Sequence, residues 1–176
     1  GDGTGSLIFN FGGADLTFQS RIEGSGQIAI ANGKVIYKGN GSAFTGNTDI
    51  TGGTLNLVNA TLGGTLSVSG WGTLSGTGTV GETTVSSGAT VTPGGSGVGT
   101  LTVDGNLVFA AGATYEVDVN TSTGASDLLH ATGTATLTAS ADGGNSAATV
   151  TAADDLGVHV SQQATAVDAE SGLNGI

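Results

Sequence analysis

Few residues of this chain could carry out chemistry, and they are scattered along its 176 residues. The candidate bases are His130 and His159, and neither accompanies a Gly-x-Ser-x-Gly motif, which would hold a nucleophilic serine on a tight turn. Glu116 and Asp118 would share one face of a strand, but Arg21, the only arginine, is far away in sequence. We therefore expect no catalytic residues, and a polysaccharide-active enzyme is the remote alternative.

Metal ions and cofactors also lack a recognisable site. The chain has no cysteine, and the Asp-Gly pairs at Asp2 and Asp142 are single turns rather than tandem calcium-binding repeats. The glycine-rich runs lack the Gly-Lys-Ser/Thr ending and the following helix of a phosphate-binding loop. We expect neither a metal nor a cofactor.

The charge of the chain limits its partners. Its formal net charge is -11, and three cations cannot neutralise many phosphates, so we expect no nucleic-acid binding. These three, Arg21, Lys34 and Lys38, are close in sequence and could form a small contact patch for a protein or a glycan. The alternative is that the lysines protect a strand edge from unwanted pairing. No run reaches the roughly 18 apolar residues of a membrane-spanning helix, so we expect no membrane insertion.

The elements that must position these residues are short strands. Gly-Thr-Leu occurs four times, at residues 53–55, 64–66, 72–74 and 99–101, and each copy opens an alternating apolar run. The 34 glycines supply the turns between these runs, and no helical periodicity is found. Repetition of this kind is typical of a solenoid, in which each unit buries its apolar face against its neighbours.

Two all-β folds fit the alternation, of which Tyr115, Val117 and Val119 are the clearest case because Glu116 and Asp118 lie between them. One fold is an antiparallel sandwich, and the other is a right-handed parallel β-helix with rungs of about 20 to 25 residues stacked about 4.8 Å apart. The repeats favour the β-helix, with about seven or eight rungs.

A change in composition near Asn120 predicts a division of the chain. We expect parallel β-helix rungs over residues 1–119 and a C-terminal cap, as a β-hairpin or a sandwich-like unit, over residues 120–163. Residues 164–176 contain little that could pack, and we expect a loosely ordered tail.

Two stretches resemble bacterial autotransporters, the type V secreted surface proteins. Residues 24–30 (Gly-Ser-Gly-Gln-Ile-Ala-Ile) and 44–55 (Phe-Thr-Gly-Asn-Thr-Asp-Ile-Thr-Gly-Gly-Thr-Leu) resemble the passenger-associated repeat, with Phe44 where that repeat usually has Tyr. Residues 72–80, 99–107 and 112–117 resemble the C-terminal passenger region of pertactin-like and AIDA-like members.

The resemblance implies a β-helical stalk on the outer face of a Gram-negative outer membrane, or secreted after cleavage. Its implied partners are upstream passenger rungs and a translocator barrel, which would follow the tail at 164–176, with weak self-association as a further expectation. This end of the stalk would act as an autochaperone that seeds folding during translocation and presents an upstream virulence or adhesion region. The alternative is an adhesin-type module that contacts host proteins, host glycans or sister cells.

The predicted folding core of this seed consists of the larger apolar residues of its last strands. Its expected members are Trp71, Leu101, Val103, Leu107, Phe109, Tyr115, Val117 and Val119.

Overall fold

A computed structural model describes residues 5–138 and 149–152, which form strands and connecting corners with no helix. The strands are β1 (Ser6–Asn10), β2 (Leu16–Phe18), β3 (Glu23–Gly24), β4 (Gln27–Asn32), β5 (Lys34–Tyr37), β6 (Asn40–Gly41), β7 (Ala43–Phe44), β8 (Asn47–Ile50), β9 (Thr54–Leu57), β10 (Thr61–Val68), β11 (Thr73–Gly76), β12 (Thr79–Val85), β13 (Thr90–Pro93), β14 (Thr100–Phe109), β15 (Thr114–Val117), β16 (Val119–Asn120), β17 (Ala125–Ser126), β18 (Leu128–Ala131), β19 (Ala135–Leu137) and β20 (Thr149–Ala152).

The strands form two long parallel sheets. Sheet A has the order β1-β4-β8-β10-β12-β14-β18, with β19 paired to β14 and β6 to β10. Sheet B has the order β2-β5-β9-β11-β13-β15-β20, and the short strands β3 and β7 pair with each other. Neighbours in each long sheet come from successive circuits of the chain, so the backbone winds as a solenoid.

The fold is therefore an all-β parallel solenoid, as the Gly-Thr-Leu repeats predict. Its described residues form about six rungs, and the seven or eight rungs predicted for the whole chain stay a prediction. The sandwich alternative is wrong, because the two long sheets consist of parallel strands joined by crossovers rather than by hairpins.

Every rung contributes apolar side chains to one continuous interior. On sheet B the register stacks Val35, Leu55, Leu74, Val91 and Tyr115 above one another, and all five are buried. Sheet A faces them with its own buried row, Phe9, Ile30, Ile50, Val68, Val85 and Phe109. Apolar burial between these two rows is the main source of stability.

Glycine allows the rungs to approach each other closely within sheet A, at the register shifts of β10 and β12. Gly64 has a φ of 76°, and a Cβ at this position would collide with the carbonyl oxygen of Gly46 on the preceding rung. A Cβ at Gly81 would collide in turn with the carbonyl oxygen of Gly64. The second Gly-Thr-Leu copy therefore begins with glycine for steric reasons.

Rungs become longer toward the C-terminal end. Leu66 pairs with Thr83, 17 residues later, whereas Leu107 pairs with Ala135, 28 residues later. The additional residues form a loop at 94–99 and the antiparallel hairpin of β16 and β17, after which the chain returns to sheet A in β18. The predicted division into 1–119, 120–163 and 164–176 stays a prediction, and most of its last two parts lies outside the described residues.

Candidate functional site

Most of the predicted folding core lies in the interior of the last rungs. Buried there are Leu101, Val103, Leu107, Phe109, Tyr115 and Val117. Val119 is half-buried and packs against this cluster. The Phe109 and Tyr115 rings approach each other from the two sheets, with centroids 6.4 Å apart and planes at 56°. Their role in folding stays a prediction.

Trp71 is not part of this core, and that part of the prediction is wrong. Its side chain is 85% exposed. The residue lies in the corner between β10 and β11, where Gly72 donates a hydrogen bond to the Ser69 carbonyl oxygen at 2.9 Å. The strand alternation that buries every second residue does not extend through such a tight turn. The flanking Gly70 and Gly72 were the signal that could have placed Trp71 at a corner.

Asp127 anchors the long C-terminal rungs, and the sequence analysis did not single it out. It is 3% exposed, and its carboxylate accepts hydrogen bonds from the Gly99 amide at 2.8 Å and the Asp118 amide at 3.0 Å. Its own amide donates to the Asp118 carbonyl oxygen at 2.9 Å. One side chain therefore joins the start of β14, the end of β15 and the start of β18.

Burial governs the ionisation of the groups around this anchor. Desolvation raises the pKa of Asp127, the two amide donors oppose the shift, and the charges of Asp118 and Glu116 add to it. Desolvation also raises the pKa of the Tyr115 phenol to about 12, with an opposing hydrogen bond from the backbone of Leu129. Tyr115 therefore remains neutral at physiological pH.

Asn106 provides a second tie, which spans three consecutive rungs. Its amide nitrogen donates to Glu82 at 3.3 Å, and its amide oxygen accepts from the backbone of Thr134 at 3.0 Å. Beside it, Thr132 donates to Asp104 at 3.1 Å and accepts from the Gly105 amide at 2.9 Å. Side chains thus link the last rungs to each other in addition to the backbone ladder.

The predicted cationic patch is largely neutralised. Arg21 forms an ion pair with Glu23 at 2.8 Å, and Lys34 forms one with Asp15 at 3.2 Å. Lys38 is exposed and has no ion pair within the described part of the chain. The three cations occupy adjacent rungs, and only Lys38 offers an uncompensated charge there.

The acidic and histidine residues that could carry out chemistry do not lie together within the described part of the chain. A groove of about 410 Å³ beside the loop 94–99 contains Asp118, and another of about 260 Å³ at the N-terminal end contains Glu23. His130 is half-buried on β18, and His159 lies outside the described residues. Over residues 5–138 no cluster of three potential metal ligands occurs. A helix long and apolar enough to span a membrane is absent from the same residues.

Comparisons with models of protein families, with curated proteins and with solved structures found no match to this chain. What the protein does must therefore be inferred from its own fold, its contacts and the sequence motifs described above.

Proposed function

We propose that this chain is a structural and folding module, the C-terminal β-helical part of an autotransporter passenger. In this role it forms a stalk outside a Gram-negative cell and presents an upstream region away from the surface. Its last rungs fold first as they leave the translocator barrel, and they provide a template for the rungs that follow.

The observation that carries this proposal is the buried carboxylate of Asp127, which joins backbone segments of the C-terminal rungs, whereas the side-chain hydrogen bonds between earlier rungs, such as that of Gln27 with Asp49, are exposed. In a solenoid each rung is stabilised mainly by its neighbours, so one firm end lowers the cost of adding the next rung. Asp127 accepts hydrogen bonds from two backbone amides of the C-terminal rungs, and Asn106 links the rungs of Glu82 and Thr134. In the first described rung, Leu7, Phe11 and Phe18 are partly buried and pack against the core.

Fragments test the proposed direction of folding. Residues 72–176 should unfold cooperatively in urea as an isolated fragment, whereas residues 1–71 should show no cooperative transition. Residues 1–71 should gain strand structure when they are joined to the C-terminal fragment. Equal behaviour of the two fragments, or independent folding of residues 1–71 alone, would contradict the proposal.

A second candidate function is an adhesin-type module, and the uncompensated charge of Lys38 favours it. Lys38→Glu should then weaken attachment to host cells while leaving the free energy of unfolding within about 0.5 kcal/mol. Lys34→Glu is the matched control, because Lys34 is already paired with Asp15. Unchanged attachment of the Lys38 variant would remove this patch as a binding site.

A further inference from the structure

Trp71 is a large apolar side chain that the fold leaves uncovered. It is the only tryptophan of the chain and is 85% exposed. Tryptophan is enriched at binding interfaces, where its apolar ring meets a partner. The exposed indole of Trp71 is therefore available to a ligand.

The corners of the two following rungs carry no side chain at the position of Trp71. In the corner 69–72 the second residue, Gly70, has a positive φ of 59°. In the two following corners, 86–89 and 110–113, the third residue is glycine, and Gly88 and Gly112 have φ values of 83° and 80°. Trp71 thus occupies a corner position that carries no side chain in the next two rungs.

The outer face of sheet B next to Trp71 carries a row of threonines. The register aligns Thr54, Thr73, Thr90 and Thr114 on four consecutive rungs, about 4.8 Å apart. Sheet B has no register shift, whereas sheet A is interrupted in several strand pairs. The threonine row is therefore straight and evenly spaced.

These hydroxyl groups are available to a ligand. Some outward polar side chains of sheet A hydrogen-bond each other, as Asn47 and Thr65 do at 3.0 Å. No such partner exists within residues 5–138 for the hydroxyl groups of Thr54, Thr73 or Thr90. These three threonines beside Trp71 therefore keep their hydroxyl groups free to pair with a ligand.

The loop at 94–99 borders the other side of this surface. A Cβ placed on Gly95 would lie 3.7 Å from the amide nitrogen of Asn56, so the loop reaches the outer face of β9. Ser75, on the neighbouring rung, is 4% exposed. Trp71 and the loop thus enclose a strip on the order of 13 Å wide, the length of about four strand residues.

Charge selects the class of ligand. Charged side chains flank this strip rather than occupying it: Lys34 is paired with Asp15 at its N-terminal end, and Glu116 lies at its C-terminal end. We propose that the strip formed by Trp71, Thr54, Thr73, Thr90 and Asn56 binds a neutral polysaccharide chain. The apolar face of a pyranose ring stacks on the indole, and the sugar hydroxyls pair with the threonine hydroxyls and the Asn56 amide.

This binding site does not depend on the proposed folding role, and a single fluorophore reports on it. Because Trp71 is the only tryptophan, its emission can be followed while cellohexaose, mannohexaose or chitohexaose is added to the full chain. At least one of these neutral hexamers should produce a saturable blue shift. The anionic galacturonate hexamer should produce none.

Single substitutions test whether the fluorescence shift arises from binding at this strip. Trp71→Ala should lower the affinity measured by calorimetry at least tenfold, Trp71→Phe less, and Thr73→Val several-fold, all with unchanged thermal midpoints. Ile8→Ala is the matched control, because Ile8 is 64% exposed but lies on sheet A. Its affinity should equal that of the wild type. No saturable response to any neutral hexamer, or unchanged affinity of Trp71→Ala, would overturn the proposal.

Discussion

Asp127 shows how a single side chain can hold together rungs of unequal length. Its two carboxylate oxygens accept from amides at 2.8 and 3.0 Å, one at the end of the loop 94–99 and the other just before the hairpin of β16 and β17. A buried amide without an acceptor costs about 1–3 kcal/mol, so Asp127 compensates for the irregular backbone that the long rungs introduce.

Replacement of Asp127 should therefore destabilise the chain in a graded way. Asp127→Ala leaves the amides of Gly99 and Asp118 unpaired and should cost about 2–4 kcal/mol of unfolding free energy. Asp127→Asn retains one acceptor and should cost less. Urea unfolding measures both values, with Glu116→Gln, which is exposed, as the control within about 0.5 kcal/mol. Equal stability of the Ala variant and the control would contradict the anchoring role.

The ionisation of Asp127 predicts a pH dependence. Because burial raises its pKa in the folded state above the ordinary value, the folded chain binds this proton more tightly than the unfolded chain does. The stability of the wild type relative to Asp127→Asn should therefore increase as the pH falls through the folded-state pKa, and should decrease as the pH rises again. Urea midpoints of both proteins between about pH 3 and 7 test the sign. A constant difference, or a change in the opposite direction, would contradict it.

At the residue scale the sequence predicted burial wherever alternation holds and failed at the corners. Leu101, Val103 and Tyr115 alternate with polar residues, and all three are buried. The size of the Trp71 side chain suggests a core residue, but its position between Gly70 and Gly72 indicates a turn. Asp127 could not be recognised, because its partners are backbone amides that only the fold brings to it.

At the scale of elements, the stacked glycines within β10 and β12 set how closely the rungs can approach. Gly81→Ala places a Cβ against the Gly64 carbonyl oxygen and should lower the unfolding free energy by at least about 2 kcal/mol. Gly97→Ala is the control, because a Cβ at Gly97 would meet nothing within 4 Å. Chemical unfolding measures both variants. Equal stabilities would show that the rungs can separate without cost.

The elements themselves were largely predictable, because apolar alternation and glycine pairs mark the strands and the corners. The Gly-Thr-Leu copies lie in both sheets: those at 53 and 72 begin strands of sheet B, the one at 99 begins β14 of sheet A, and the one at 64 lies within β10 of sheet A. The sequence could not assign them to separate sheets, because side chains alternate between the inner and outer face with a period of two in both sheets. The seven or eight rungs that it predicts refer to all 176 residues, of which residues 5–138 form about six.

At the scale of the whole molecule, stability in a solenoid depends on contacts between neighbouring rungs. A cavity inside one rung should therefore weaken its neighbours as well. Leu74→Ala, at a fully buried position in the middle of sheet B, should cost about 2–5 kcal/mol. Thermal or urea unfolding measures the loss, and a cost below about 1 kcal/mol would indicate that the rungs do not share a packed interior.

The central claim is that stability decreases along the coil from the C-terminal rungs to the N-terminal rung. Amide hydrogen exchange of the full chain measures this directly, because each strand reports its own opening free energy. We expect the highest values in β12, β14 and β15, intermediate values in β8 and β9, and the lowest values in β1 and β2. Equal protection along the coil, or the highest protection in β1 and β2, would contradict the account.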